Sequence, residues 1–371
     1  MRSVDVAVIG GGIIGTSAAA FLAEAGQSVA LFEREQVAAG ASGRNSGAIQ
    51  RPLDPPLGDL YCSTLKLYRE LTAADAGFAL SERAVGLLIV SPDHIALEAV
   101  GDAIRRTTPD LRPEVIPAPD LQVLEPHLAA NLSACRLQTG YPVAPAAATL
   151  AFAQRAVNAG ATIETADARP MTDGGGRVTG VEAGSLRVPA SQVLLAAGPW
   201  TSALVEPWIE TAPIRPLWGV VVGVELADAP QHVIEELGID SGAGASERLF
   251  SLVTANSATS VGSIFVKTRP EPEAVAPAII ERAARFVPAL NHARRVGVRT
   301  CARPLSMDGR PLIGPLPGTD GLFICAGHGP WGISTGPASA RLVVDQMLGR
   351  SGTTSDFDPA RALQWSQAQQ T

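Results

Sequence analysis

Cysteine is scarce in this chain: Cys62, Cys135, Cys301 and Cys325 are the only four among 371 residues, and no two form a CxxC pair. A disulfide scaffold and a thiolate zinc site are thereby excluded, and reduced thiols in a cytoplasmic protein are expected. Histidine is nearly as rare, with five copies and no HExxH segment, so a metal hydrolase finds no ligand set. Tyrosine occurs only as Tyr61, Tyr68 and Tyr141. Basic blocks are missing too. The 29 Lys and Arg stand against 36 Asp and Glu, a net charge of -7 that argues against nucleic acid and anionic membrane as partners. What remains is 46% hydrophobic and 18% charged residues, the composition of a folded globular protein with the length of two domains.

One uncharged run, Val6 to Ala23, spans 18 residues and invites a membrane or signal-peptide reading. Gly10, Gly11, Gly12 and Gly15 interrupt it, and only Arg2 precedes it as a base, so no membrane span is expected. The run instead divides into a β-rich stretch, Val4 to Ile9, the pattern Gly10-x-Gly12-x-x-Gly15, and a helical stretch from Thr16 to Ala25. A second apolar strand, Ser28 to Phe32, ends in Glu33, 18 residues (33 − 15) beyond Gly15. Gly10 allows a tight turn, Gly12 lets backbone approach a pyrophosphate, and Gly15 permits close helix–strand packing. The helix start, with Ile13 and Ile14, supplies partial positive charge, while Glu33 beside Arg34 is placed to accept a ribose diol. A carboxylate at this point would repel the 2′-phosphate of NADP.

Three later segments extend the pattern. "GASGRNSG" offers Ser42, Gly43, Arg44, Asn45, Ser46 and Gly47, small or polar groups suited to a second wrap around phosphate and flavin. "QVLLAAGPW" is a strand delivering Ala197, Gly198 and Trp200 to the ligand edge of a sheet. The third holds a strand, Leu322 to Ala326, then a turn with Gly327, Gly329 and Gly332, then a helix from about Gly336 to Leu348. Backbone at Gly329, Gly332, Ile333 and Ser334 forms an anion cradle that would stabilise a reduced flavin.

With "ARPLSMDGRPLIG" added, these segments occur in the order and spacing of the D-amino-acid oxidase-like FAD oxidoreductases, which the chain resembles over nearly its whole length. That group includes glycine oxidase, sarcosine oxidase and bacterial D-amino-acid dehydrogenase. The resemblance implies an α/β fold: a discontinuous, Rossmann-like FAD domain with an inserted, mostly antiparallel β-sheet substrate domain. Strands at Val85 to Val90, Ile214 to Val224, Arg248 to Thr254 and Val261 to Lys267, with helices at His94 to Arg106 and Ala274 to Phe286, agree with it. The FAD domain is expected at 1–80, 142–207 and 298–371, and the substrate domain at 81–141 and 208–297.

The resemblance makes Arg303 of "CARP" the clamp on a substrate carboxylate, the alternative being a structural arginine paired with Asp308. His328 stands as a base or substrate contact and equally as a buried structural histidine. Trp331 is expected to wall the pocket, Trp218 to lie in the core or else wall the pocket too, Tyr141 to mark the return between domains, and Arg310 to be a structural charge. Relatives that carry FAD covalently have a cysteine seven residues before an aspartate, as Cys301 stands before Asp308 (308 − 301 = 7). The "DGRPLIG" surroundings match the noncovalent branch instead. The tyrosine that often faces the carboxylate is missing from 208–297.

The implied activity is oxidation of a C–N bond by hydride transfer to flavin N5, the imine then hydrolysing. The expected substrate is a D-amino acid, glycine or N-alkyl glycine, with oxygen or a quinone-type carrier as acceptor. Oxidation of a 2-hydroxy acid or polyol phosphate on the same scaffold, or a non-catalytic flavoprotein subunit, are the alternatives. A homo-oligomer is compatible with either.

Overall fold

The computed structural model describes residues 3–74, 77–238 and 248–368. Its first sheet is built around Val4–Ile9, which lies parallel between Val29–Glu33 and Leu186–Leu195. Leu322–Ala326 and Thr162–Thr165 extend it in parallel on either side, and Leu312–Pro315 closes one edge antiparallel. Side chains alternate across it as the strand period requires. Val6, Val8, Leu31 and Leu194 join one apolar cluster, while Ala7, Ile9, Phe32 and Leu195 join another on the opposite face. Burial on both faces explains why these strands read as continuous apolar runs.

The helix that follows the first strand, Ile13–Glu24, buries every residue from Ile13 to Ala23 between the sheet and the helices Ala147–Asn158 and Gly332–Met347. The uncharged N-terminal run is therefore a buried strand and helix. Among the described residues no helix is long and apolar enough to cross a membrane. The helix starts at Ile13, three residues before the expected Thr16, because Gly12 is its N-cap.

The second sheet runs, edge to edge, Arg294–Ser306, Ile214–Glu225, Ala258–Ile264, Arg248–Ala255, Val233–Glu236, Leu87–Ser91, Ser133–Leu137 and Glu114–Ile116. Every pairing but that of Leu87–Ser91 with Val233–Glu236 is antiparallel. Pro272–Ala283 packs on the strands of one half, and His94–Thr107 on those of the other. Asp93 caps the latter helix, accepting the Ala96 amide at 3.0 Å. The fold is thus α/β, with a Rossmann-like sheet and a mostly antiparallel second one.

Arg294–Ser306 brings the two sheets together. It pairs along its length with Ile214–Glu225, setting Cys301 opposite Gly219 and Arg303 opposite Leu217. Residues 298–306, expected with the FAD-binding part, continue this pairing and so belong to the second sheet. Near the end of that strand Leu305 also bridges to His328, at the end of the first sheet. Tyr141 lies at a crossing as expected, paired with Ile49 in a two-stranded ribbon.

Candidate active site

The C-terminal ends of the first-sheet strands open into one cavity of about 740 Å3 that reaches from Gly10 to Arg303. At its inner end Gly10 has φ +114°, and a Cβ there would lie 2.4 Å from the Ala196 carbonyl oxygen. A Cβ on Gly15 would sit 1.9 Å from the Gly10 carbonyl oxygen, so only glycine lets helix and strand approach this closely. Gly15 is therefore a packing residue and does not line the cavity, whereas Gly10, Gly12, Ile13 and Ile14 do.

Glu33 lines the same end. Its carboxylate accepts the amides of Gly11 at 2.7 Å and Glu35 at 3.0 Å. Two of roughly four lone-pair sites remain for a diol. Outside it, the Arg34 guanidinium lies over the Trp200 ring at 3.8 Å, and Trp200 is 41% exposed, so this pair forms the rim. Ala197 and Gly198 line the wall between rim and floor.

The stretch from Gly40 folds into the short helix Ala41–Arg44. Ser42 and Arg44 reach the cavity, but the Ser42 hydroxyl is committed to the Ile13 amide at 2.9 Å, capping the buried helix from outside. Asn45 also lines the cavity, yet its side chain serves the loop. It donates to the Ser42 carbonyl at 2.8 Å and accepts the Gly47 amide at 2.8 Å. Gly43, Ser46 and Gly47 lie off the cavity; Gly43 and Gly47 permit backbone contact with Ala38 and Val143.

The third segment delivers Gly329, Gly332 and Ile333 to the wall, where the helix Gly332–Met347 begins at Gly332 rather than Gly336. Gly327, Ser334 and Trp331 stand behind it. Ser334 accepts the Gln50 amide, and Trp331 packs on the core of the first sheet. Contrary to expectation Trp331 does not line the cavity; Trp218 does.

Arg303 occupies the far end. Its guanidinium donates to Ser263 Oγ at 2.8 Å and the Ile264 carbonyl at 3.3 Å, and stacks over the Phe265 ring at 4.6 Å. It lies deep in the protein and keeps open surface only because it lines the cavity. No carboxylate pairs with it among the described residues. Asp308, the expected structural partner, binds Arg361 at 3.0 Å, and Arg310 is held by Asp54 and Asp356 as a structural charge. Burial pulls the Arg303 pKa below its ordinary value, but an arginine remains a cation there.

Gly219 makes room for this side chain. A Cβ there would lie 2.2 Å from Arg303 Nη1. Gly219→Ala is expected to tilt the guanidinium and raise KM for a carboxylate substrate about tenfold, with flavin content unchanged. Titration of initial rates against substrate, with the visible flavin band as control, checks this.

His328 is 1% exposed and lines the cavity. Its Nε2 meets Ser339 Oγ at 2.9 Å, and that hydroxyl donates to the Thr335 carbonyl at 3.0 Å. Nε2 must therefore carry the proton, leaving Nδ1 as a bare acceptor without a partner among the described residues. Burial lowers the His328 pKa to about 3, so the ring is neutral at physiological pH. Ser263, Phe265 and Arg269 carry no site signal in the sequence, since each sits in an ordinary strand or loop. Among the described residues no group of His, Cys, Asp or Glu could hold a metal ion.

A turn closed to any Cβ at Gly10 and Gly15, an acid at the ribose position and two helix N-termini, gathered about one cavity, fit a flavin dinucleotide. The curated glycine oxidase of Pseudomonas aeruginosa is 29% identical over 96% of this chain and 98% of its own. The solved glycine oxidase of Bacillus cereus superposes with a TM-score of 0.83 at 24% identity, covering 95% of this chain and 99% of that one. Iminodiacetate oxidase of Chelativorans gives 0.84 at 21%, covering 95% and 98%. The family model for FAD dependent oxidoreductases, DAO, matches residues 5–346, and the chain that folds around this cavity belongs to that family of FAD-dependent enzymes.

Proposed function

We propose that this enzyme oxidises the C–N bond of a carboxylate-bearing amine, a D-amino acid, glycine or an N-alkyl glycine, with Arg303 as the carboxylate clamp. The observation that carries this reading is a deep guanidinium facing the cavity with no acidic partner among the described residues. An uncompensated buried charge costs several kcal/mol, and a bidentate carboxylate offsets that cost better than any other small ligand.

FAD, held by the Gly10–Gly15 turn, Glu33 and the start of the helix Gly332–Met347, supplies the two-electron acceptor for a C–H bond next to nitrogen. The protein's own task is positioning. Arg303 fixes one end of the substrate, Ser263 and Phe265 fix Arg303, and Trp218 walls the space beside it. The imine product is hydrolysed by water, and oxygen or a quinone-type carrier takes the electrons onward. Oxidation of a 2-hydroxy acid needs a base for the hydroxyl proton. His328, its pKa lowered by burial to about 3, is too weak a base for that role.

Turnover assays with glycine, sarcosine, D- and L-amino acids, simple amines and 2-hydroxy acids test the reading. Ammonia or an amine should appear in amounts equal to the carbonyl product, a 2-oxo acid or, where an N-alkyl carbon is oxidised, an aldehyde. Turnover of hydroxy acids alone, with no nitrogen released, contradicts it.

Cys301 lines the cavity at 4% exposed, and among the described residues no base hydrogen-bonds its thiol. FAD is accordingly expected to be noncovalent. Acid precipitation should leave the yellow flavin in the supernatant; flavin retained in the pellet and lost in Cys301→Ser would show a covalent link.

A further inference from the structure

Besides Arg303, the cavity is lined by Arg34, Arg44, Arg169 and Arg269, and the last has no role in the reading above. Arg269 lines the cavity and sits over the indole of Trp218, 5.6 Å from the ring centroid. The loop that carries it is tied to the wall, since Trp218 and Val266 exchange backbone hydrogen bonds of 2.8 and 3.0 Å. Phe265, the neighbour of Val266, underlies Arg303. Two guanidiniums thus rest on two aromatic rings, Arg303 deep and Arg269 exposed.

Neither has a carboxylate within salt-bridge distance among the described residues. Arg155, Arg310 and Arg361 do pair, with Glu24, Asp54 and Asp308. On the cavity itself Arg44 and Arg169 also lack an acid among the described residues, but neither is stacked on an aromatic ring there as Arg269 is. The cavity's own acids are engaged elsewhere or do not reach it: Glu33 accepts amides, Glu35 meets Arg34, and Asp167 and Glu206 make no ion pair with Arg269. An unpaired cation stacked on a cavity wall is a recognition group for an anion entering that cavity.

We infer that the substrate carries two carboxylates, an acidic amino acid or an N-carboxyalkyl amino acid, one held by Arg303 and the other by Arg269. The inference rests on the clamp role proposed for Arg303. Arg269 would then be a specificity residue, selecting among carboxylate-bearing amines without touching the reacting atoms.

The test is binding of redox-inert carboxylates to the FAD-loaded enzyme, read as perturbation of the flavin absorption band. Acetate and propionate are compared with malonate and succinate in the wild type, Arg269→Gln and Arg303→Met. A charge-assisted hydrogen bond to Arg269 should make the better dicarboxylate bind about tenfold or more tighter than a monocarboxylate. Arg269→Gln should abolish that advantage and leave monocarboxylate affinity unchanged. Equal affinity for both classes in the wild type, or equal weakening of both by Arg269→Gln, overturns the inference while the clamp stands. If Arg303→Met leaves monocarboxylate binding untouched, the clamp reading fails and this inference with it.

Discussion

Gly15→Ala is expected to yield a colourless protein. The added methyl would meet the Gly10 carbonyl oxygen at 1.9 Å, and neither the strand Val4–Ile9 nor the helix Ile13–Glu24 can give way. The strand is hydrogen-bonded on both sides, and the helix is buried through Ala23. Relief requires moving the helix start, and with it the amides of the phosphate cradle. Overpacking of this kind costs about 1–3 kcal/mol where a core can adjust, and more where the obstacle is backbone. Flavin per protein, read from the ratio of visible to ultraviolet absorbance, should fall at least tenfold, with a lowered Tm. A yellow Gly15→Ala protein of unchanged Tm would contradict the packing described here.

Arg303→Met should separate stability from function. Removing a deep cation without an acidic partner is expected to leave stability unchanged or raise it, since methionine does not carry the desolvation penalty of a buried charge. Ser263 loses one hydrogen bond but is 3.3 Å from the Ile264 carbonyl oxygen, so its hydroxyl keeps a partner. Activity should fall steeply. Losing a buried charge-assisted contact costs roughly 2–5 kcal/mol, so kcat/KM for a carboxylate-bearing amine should drop about 30- to 5,000-fold. Thermal unfolding and initial rates on one preparation check both halves. A strong loss of Tm would mean that Arg303 is a structural arginine.

The parts of this fold that were legible from sequence are those where backbone geometry restricts residue choice. Gly10 and Gly15 are read from spacing because no Cβ fits at either position, and Glu33 because a strand end fixes its place. The strand Leu322–Ala326 appears within its expected bounds, and the alternating strands of the second sheet appear within a few residues of theirs. Short strands such as Glu114–Ile116 and Ser133–Leu137 have too few residues to show a period. Trp218 was assigned to the core because a strand tryptophan is more often buried. Only the pairing with Arg294–Ser306, some eighty residues on in sequence (302 − 218 = 84 for Trp218 and Ala302), turns it to the cavity. Arg269 and Ser263 are assembled the same way, by tertiary contacts that leave no local signature.

Anaerobic mixing of the FAD-loaded enzyme with candidate substrates tests the central claim most directly, because loss of the visible flavin band reports reduction without any acceptor. Bleaching by a carboxylate-bearing amine, slowed at least about thirtyfold in Arg303→Met that retains its flavin, is the predicted result. Bleaching only by amines without a carboxylate, or equally fast bleaching in the variant, would contradict the role given to Arg303.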